Sequence, residues 1–303
     1  MKRFIRDTAP LFGRALGELL RTDPLRMAGA TAFFTTFALP PILVILIQSL
    51  KLVIPSKTIR SELLESLSGI IGHEAGSQVA DVLLALRKLA QNWYMTLAGF
   101  IFLVFVATTL FKVIKNSINQ VWKIRAVRRR PFSQELLARV KSVLIILVAG
   151  VLFVTGLLVE GLQAFIGESI YDFSPALSLY FNTFLNNLVS IVIVMLWFAL
   201  VFRYLPDGRP GWKVALAGAF VTSLLFAAGR VILQWLLTYS NVNTLYGTSA
   251  SIVLLLLFVF YTSLILYYGA AFTRVWATHR RKPIEPLPYA MHYHVTYTVN
   301  EEA

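Results

Sequence analysis

Two ionisable side chains, Glu160 and Arg230, interrupt stretches of sequence that are otherwise apolar. A charge at the centre of a bilayer costs at least about 2–3 kcal/mol, so such residues usually pair, line a cavity or contact a transported substrate. Both lie within about two turns of the same end of their segments, so we expect them to face the interior and approach each other. The alternative is that each reaches the headgroups separately. With nearby amides, the candidate intramembrane polar site comprises Glu160, Arg230, Gln163, Gln234 and Asn187.

A proline pair, Pro40-Pro41, lies midway along the first apolar segment. Each proline removes a backbone donor and clashes with the preceding turn, so we expect the helix to break there. Broken helices near the bilayer midplane often border substrate sites in transporters. The alternative is an ordinary kink, which neighbouring helices tolerate by satisfying the freed carbonyls.

A polar and basic patch follows the second apolar segment. Basic residues near a membrane contribute roughly 1 kcal/mol each to the binding of anionic headgroups, although the same charges also serve simply to orient the chain. We expect the long side chains of its two lysines to extend to the headgroups. The patch consists of Lys112, Lys115, Asn119, Arg128, Arg129 and Arg130.

The sequence contains no constellation typical of catalysis. It has no cysteine, which excludes disulfides and thiolate ligands. His292 and His294 are spaced to share a metal on a strand, but we favour two unrelated tail histidines. Neither a G-x-x-x-x-G-K phosphate loop nor a G-x-S-x-G elbow is present. Two-metal nuclease chemistry needs clustered carboxylates, whereas the acidic residues near the basic segments are scattered: Asp7, Glu18, Asp23, Glu135, Asp207 and Glu285. We therefore expect no enzyme, no metal and no cofactor.

Long apolar segments must position these residues. Of 303 residues, 57% are hydrophobic and 14% are charged, against about 25% charged in soluble domains. Six segments approach or exceed the ~20 apolar residues that a helix needs to cross a bilayer, and they lack the alternation of barrel strands. We predict an all-α, polytopic membrane helix bundle of about six transmembrane helices with an extracytoplasmic amphipathic helical hairpin. The segments are 29–52, 93–113, 140–164, 184–203, 212–237 and 249–273.

We expect three parts along the chain: a cytoplasmic N-terminal arm with an amphipathic helix at 1–28, a six-span membrane domain at 29–275, and a cytoplasmic tail at 276–303. The hairpin occupies 53–92, where apolar residues recur at helical spacing on both sides of the breaker GHEAGS. The tail alternates apolar and polar residues after Pro288. Pairing as a strand with another chain edge is one interpretation, and we favour a disordered tail.

Basic residues are distributed unevenly between the two sides of the predicted bundle. Of 28 lysines and arginines, 22 fall on the side of the N-terminal arm and five on the other. The positive-inside rule then places both termini in the cytoplasm. The net charge of +13 therefore reflects topology, and we expect no nucleic-acid partner. Trp122 and Trp212, at segment ends, are typical of interfacial anchors.

Three stretches resemble the YihY/virulence factor BrkB family. They are DPLRMAGATAFFTTFALPPILVILI at 23–47, LFKVIKNSINQVWKIR at 110–125, and 202–272 with the combination RYLP…W…GA…R…Y…YG…GA. The resemblance implies a six-span bacterial inner-membrane protein, in a family once labelled ribonuclease BN and proposed to act in transport or on lipids. Ala271 departs from the acidic residue frequent there in the family, and Phe33 and Phe34 depart from tyrosine.

Three classes of function follow from these patterns. We favour a transporter or translocase for a lipid or small amphiphile, without its own ATPase, because of the resemblance, the expected break in the first span, the intramembrane charges and the outer hairpin. A non-catalytic membrane scaffold for envelope assembly is the alternative, and it needs no central polar cavity. An intramembrane lipid enzyme has the least support, and we disfavour ribonuclease activity. The expected partners are membrane lipids, with anionic headgroups at the cytoplasmic face, and an amphiphile substrate; a homo-oligomer is compatible.

Overall fold

The computed structural model describes residues 2–50, 93–127, 175–239 and 250–293, together with five helical positions between 144 and 155. Side chains are described over 9–38, most of 101–127, 188–232 and 253–293. Long helices account for most of these residues, which confirms the prediction of an all-α protein. The predicted hairpin at 53–92 lies outside the described residues.

Each helix after the first coincides with one predicted apolar segment. In the described parts of the chain they are α1 (Lys2–Leu20), α2 (Pro24–Leu50), α3 (Trp93–Trp122), α4 (Pro175–Tyr204), α5 (Trp212–Tyr239) and α6 (Ala250–His279). Segment 140–164 is represented only by the five separate helical positions. By length and apolar composition, residues 212–232 and 253–279 can each cross a membrane, and 188–204 form a shorter apolar helix.

Two short antiparallel ribbons cover one end of the bundle, where α3, α4 and α6 end and α2 and α5 begin. We call this the basic end, because the lysines and arginines that flank those helices lie there. The strands are β1 (Ile124–Ala126) with β4 (Ala290–His292), and β2 (Gly208–Arg209) with β3 (Glu285–Pro286). The expectation of a disordered tail is therefore wrong for 290–292, because the edge of β1 supplies backbone partners for β4.

Glycines allow α5 and α6 to pack closely. Thr222 donates its hydroxyl to the carbonyl of Gly218 at 2.7 Å, and Thr273 does the same to Gly269. A Cβ placed on Gly218 would overlap the Thr273 hydroxyl, and one on Gly269 would overlap that of Thr222. This reciprocal contact is the close approach that small residues permit between membrane helices.

A second close contact joins the same two helices further from the basic end. The Tyr261 ring of α6 lies where a Cβ of Gly229 would stand, and its hydroxyl donates to the carbonyl of Leu225 at 3.2 Å. Gly229 therefore faces α6, which fixes the rotation of α5 and turns the following residue away from α6.

The basic end contains a large buried core around Trp122. This side chain is fully buried, and its indole N–H donates to the carbonyl of Ala270 at 2.8 Å. The prediction of an interfacial anchor is wrong for Trp122, because the ribbons and α6 cover it. Trp212 remains 45% exposed, and the Arg203 guanidinium lies 4.8 Å from the centre of its ring.

Helix α2 runs from Pro24 to Leu50 without an interruption. The predicted break at Pro40-Pro41 is therefore wrong. Two prolines remove only the ladder hydrogen bonds of their own nitrogens, and the remaining bonds of a long membrane helix maintain it on both sides. The argument for a midplane substrate site at this position is removed with the break.

Candidate functional site

A groove of about 360 Å³ lies between α4 and α5. Among the described residues, apolar side chains and two serines form most of its walls, and Arg230 is the one charged side chain. Small side chains on α5 leave the space that the groove occupies. The lining residues are Ser190, Ile191 and Val194 of α4, with Ser223, Phe226, Ala227, Ala228, Arg230 and Val231 of α5.

The rotation of α5 accounts for the position of Arg230. Because Gly229 packs against Tyr261 of α6, the next residue lies on the side toward α4, where Arg230 is half-buried in the groove wall. Among the described side chains, none of the ion pairs involves Arg230. The groove therefore presents a cation in mainly apolar surroundings.

The other members of the predicted intramembrane site are only partly located. Glu160 and Gln163 lie outside the described residues, so the predicted approach of Glu160 to Arg230 remains a prediction. Gln234 belongs to α5, four residues after Arg230, and Asn187 belongs to α4, three residues before Ser190. Their side chains are outside the described set.

A second group of polar residues surrounds Asp207, in the turn between α4 and α5. Asp207 is only 3% exposed. Its Oδ1 atom lies 2.8 Å from Nζ of Lys115 and accepts a hydrogen bond from the Tyr289 hydroxyl at 2.8 Å. One carboxylate thus joins α3, the α4–α5 turn and the chain after β3.

Asn119 completes this arrangement, which we call the Asp207 cluster (Lys115, Asn119, Asp207 and Tyr289). Its amide donates to Asp207 Oδ2 at 2.7 Å, while the backbone N–H of Asp207 donates to Asn119 Oδ1 at 2.8 Å. The Asp207 carbonyl accepts from the N–H of Leu287 at 2.8 Å. A buried carboxylate with this many partners holds segments together.

The cluster corrects the interpretation of the basic patch. Lys115 does not extend to headgroups, because Asp207 binds it in the interior, whereas Lys112, one turn earlier, is exposed as expected. Asn119 is buried in the cluster. Arg128, Arg129 and Arg130 lie outside the described residues.

Sequence reasoning missed Asp207 and counted it among scattered acids. A signal was present in the turn RYLPDGRP, where an acid lies between a proline and a glycine. A Cβ on Gly208 would stand 2.5 Å from Ile124 Cδ1 and 2.8 Å from Ile284 Cγ2. The glycine therefore lets the turn approach β1 closely enough for Asp207 to reach α3.

Comparison with known proteins places this chain in a family. The family model described as Virulence factor BrkB matches residues 15–291. The chain belongs to the BrkB family. Together with its long apolar helices, this membership shows a helical membrane protein and confirms the resemblance found in the sequence.

Relatives of this BrkB family protein are described as membrane proteins. The UPF0761 membrane protein of Saccharophagus degradans is 25% identical over 278 residues, which are 91% of this chain and 62% of the relative. The UPF0761 membrane protein YihY of Salmonella typhimurium is 27% identical over 197 residues, or 64% of this chain and 63% of the relative. The alignments thus span less than two thirds of either relative. No solved structure matches the chain.

A third polar group in the BrkB family protein joins α1 to the bundle. The Nη1 atom of Arg274 in α6 donates both to Glu18 Oε2 at 3.1 Å and to the Val121 carbonyl at 3.0 Å. Lys123 Nζ lies 3.4 Å from the same Glu18 oxygen. Glu18 is thereby directed toward α6 and the end of α3.

Within the described residues, no group of three metal-ligating side chains occurs. His292 Nε2 lies 3.0 Å from the carbonyl of Ile284, and His294 is outside the described residues. The expectation that the protein holds no metal or cofactor stays a prediction.

Proposed function

We propose that this BrkB family protein is a multi-pass inner-membrane transporter or translocase for an anionic amphiphile, with no ATPase of its own. The observation that carries the proposal is the α4–α5 groove with Arg230 in its wall. Its volume of about 360 Å³ falls in the range of about 300–1,000 Å³ for small-molecule sites.

The chemistry of the groove favours a ligand with an apolar body and an anionic head. Apolar side chains such as Ile191, Val194 and Phe226 suit a hydrocarbon segment. A guanidinium binds carboxylate or phosphate through two parallel hydrogen bonds, and the Ser190 and Ser223 hydroxyls lie in the same wall. A cation inside the membrane is costly unless it is paired. An anionic headgroup that binds in the groove would pair with the Arg230 guanidinium.

The orientation of the molecule is part of the same proposal. The basic end faces the cytoplasm under the positive-inside rule, which places 57–91 outside. Because the chain has no cysteine, single introduced cysteines report topology without background. In intact cells, Ser77→Cys should react with an impermeant thiol reagent and Ser133→Cys should not. The reverse pattern would contradict this orientation.

Reconstituted vesicles test the activity. We expect the protein to accelerate the exchange of fluorescent phosphatidylglycerol between leaflets, measured by dithionite quenching, above the rate in protein-free vesicles. Arg230→Ala should slow this exchange by about tenfold or more, because a hydrogen bond to a charged group contributes about 1.5–3 kcal/mol. Arg230→Lys should retain part of the rate. An unchanged rate in Arg230→Ala would overturn the assignment to this groove.

Lys213→Ala is the matched control for that experiment. Lys213 is an exposed cation on the same helix, at the basic end and outside the groove. Its removal should leave exchange unchanged. If both substitutions slow exchange equally, general attraction of the anionic probe explains the effect and the groove does not.

A non-catalytic scaffold for envelope assembly is the second candidate. It is favoured by the Asp207 cluster and the two ribbons, which give the basic end a fixed shape able to hold a partner. A scaffold would give vesicles no exchange above background, and its cellular function would survive Arg230→Ala.

A further inference from the structure

Helix α1 has two adjacent apolar stripes, one buried and one exposed. Leu11, Ala15 and Leu19 are buried against the bundle. The neighbouring stripe is exposed, with Phe12 at 41%, Leu16 at 48% and Leu20 at 62%. Residues spaced by four share one helix face, so the exposed stripe runs along the flank of α1 beside its contact with the bundle.

The level of α1 along α6 shows what surrounds this exposed stripe. The Phe12 ring lies 4.9 Å from that of Phe272, and the Tyr268 hydroxyl donates to the Phe12 carbonyl at 3.2 Å. Both partners belong to 253–279, which is apolar and long enough to cross a membrane. The stripe is therefore level with the final turns of a membrane helix.

Polar residues occupy a third side of α1. Arg14 of α1 and Arg21, directly after its last residue, are exposed, while Glu18 is directed to Arg274 and Lys123. A helix with an apolar face and exposed arginines is typical of segments that lie at a membrane surface and meet anionic headgroups. The buried stripe of α1 thus packs on the bundle, the exposed apolar stripe suits lipid chains, and the polar side suits headgroups.

We propose that α1 is an interfacial helix at the basic end of the bundle, with Phe12, Leu16 and Leu20 in contact with lipid acyl chains. The bilayer itself covers the exposed stripe, because the stripe continues the apolar flank of α6 at the same level. The inference requires only that the protein resides in a membrane, and it holds whether or not the α4–α5 groove transports anything.

Site-directed spin labelling tests this placement, since the chain has no native cysteine. The variants are Leu16→Cys and Leu20→Cys on the exposed stripe, with Gly17→Cys and Arg14→Cys as controls on the polar side. Gly17 has no atom within 4 Å of an added Cβ, so a label fits there. Each labelled full-length protein is reconstituted in vesicles of phosphatidylethanolamine and phosphatidylglycerol.

Collisions with oxygen, which concentrates in lipid, are compared with collisions with a water-soluble nickel complex. We expect the oxygen-to-nickel ratio to be several-fold higher at residues 16 and 20 than at 14 and 17. Equal ratios at the four positions would place the stripe in water and overturn the proposal. Protection of residues 16 and 20 from both reagents would mean that protein covers the stripe, and would also overturn it.

The unsubstituted protein gives an independent result if a labelled variant fails to fold. A photoactivated diazirine dissolved in the acyl chains should modify peptides that contain Phe12, Leu16 or Leu20. Absence of label from 9–21, with label present on peptides of α6, would contradict the proposal.

Discussion

The Asp207 cluster and the α4–α5 groove differ in whether their charged side chain has partners among the described residues. At the basic end, Asp207 is bound by Lys115, Asn119 and Tyr289, so each of its side-chain oxygens accepts at least one hydrogen bond. In the groove, Arg230 stands in an apolar wall with no ion pair among the described side chains. The first arrangement stabilises the basic end, and under the proposed function the second leaves a charge available to a ligand.

The difference separates two consequences of substitution. Removing a member of a buried, satisfied network leaves its partners without hydrogen bonds, so the free energy of unfolding falls. Removing Arg230 orphans no partner among the described side chains, so under the proposed function the fold should be affected little while ligand binding is lost.

The largest loss of stability is expected for Asp207→Ala. It removes the buried carboxylate that lies 2.8 Å from Lys115 Nζ, and breaking a buried ion pair typically costs about 3–5 kcal/mol. The apparent thermal midpoint in detergent, followed by tryptophan fluorescence, should fall strongly. Glu285→Gln, at an exposed acid of β3, is the control and should leave the midpoint unchanged. Equal midpoints for wild type and Asp207→Ala would show that the cluster does not stabilise the basic end.

A matched lysine pair sharpens the same point. Lys115→Ala removes a charged partner of Asp207 and should lower the free energy of unfolding by about 1.5–3 kcal/mol. Lys112→Ala, at an exposed lysine on the same helix, should change it by less than about 0.5 kcal/mol. Equal effects would mean that Lys115, too, only extends to solvent or headgroups.

Packing of α5 on α6 gives the next effect. Gly218→Ala places a methyl group against the Thr273 hydroxyl, and overpacking of this kind typically costs about 1–3 kcal/mol. Gly29→Ala is the control, because an added Cβ there meets no atom within 4 Å and alanine is a better helix former. Thr273→Ala in the Gly218→Ala background should restore part of the loss. A Gly218→Ala protein as stable as Gly29→Ala would rule out the close contact.

Much of the helical architecture could be predicted from sequence, because a membrane helix is determined by a local run of apolar residues. The family could also be predicted, from RYLP and the glycine-alanine pairs of the last two helices. Asp207 could not, because its partners Asn119 and Tyr289 lie 88 and 82 residues away in sequence. Trp122 was misassigned for the same reason: its burial depends on β1 and α6, which its own segment does not specify.

The proline pair shows the opposite error, in which a local rule was given too much weight. Proline disfavours helix interiors, yet α2 is continuous from Pro24 to Leu50. The groove was predicted in part, through Arg230. Its walls were not, because they depend on how Gly229 and Tyr261 rotate α5 relative to α4.

The most direct test of this contrast measures lipid exchange and thermal stability on the same preparations of wild type and Arg230→Ala. We expect Arg230→Ala to lower phosphatidylglycerol exchange by about tenfold or more, while the free energy of unfolding changes by less than about 0.5 kcal/mol. A stable Arg230→Ala protein with wild-type exchange would contradict the role of the groove. An Arg230→Ala protein as unstable as Asp207→Ala would show that Arg230 is a structural charge and not a ligand-binding one.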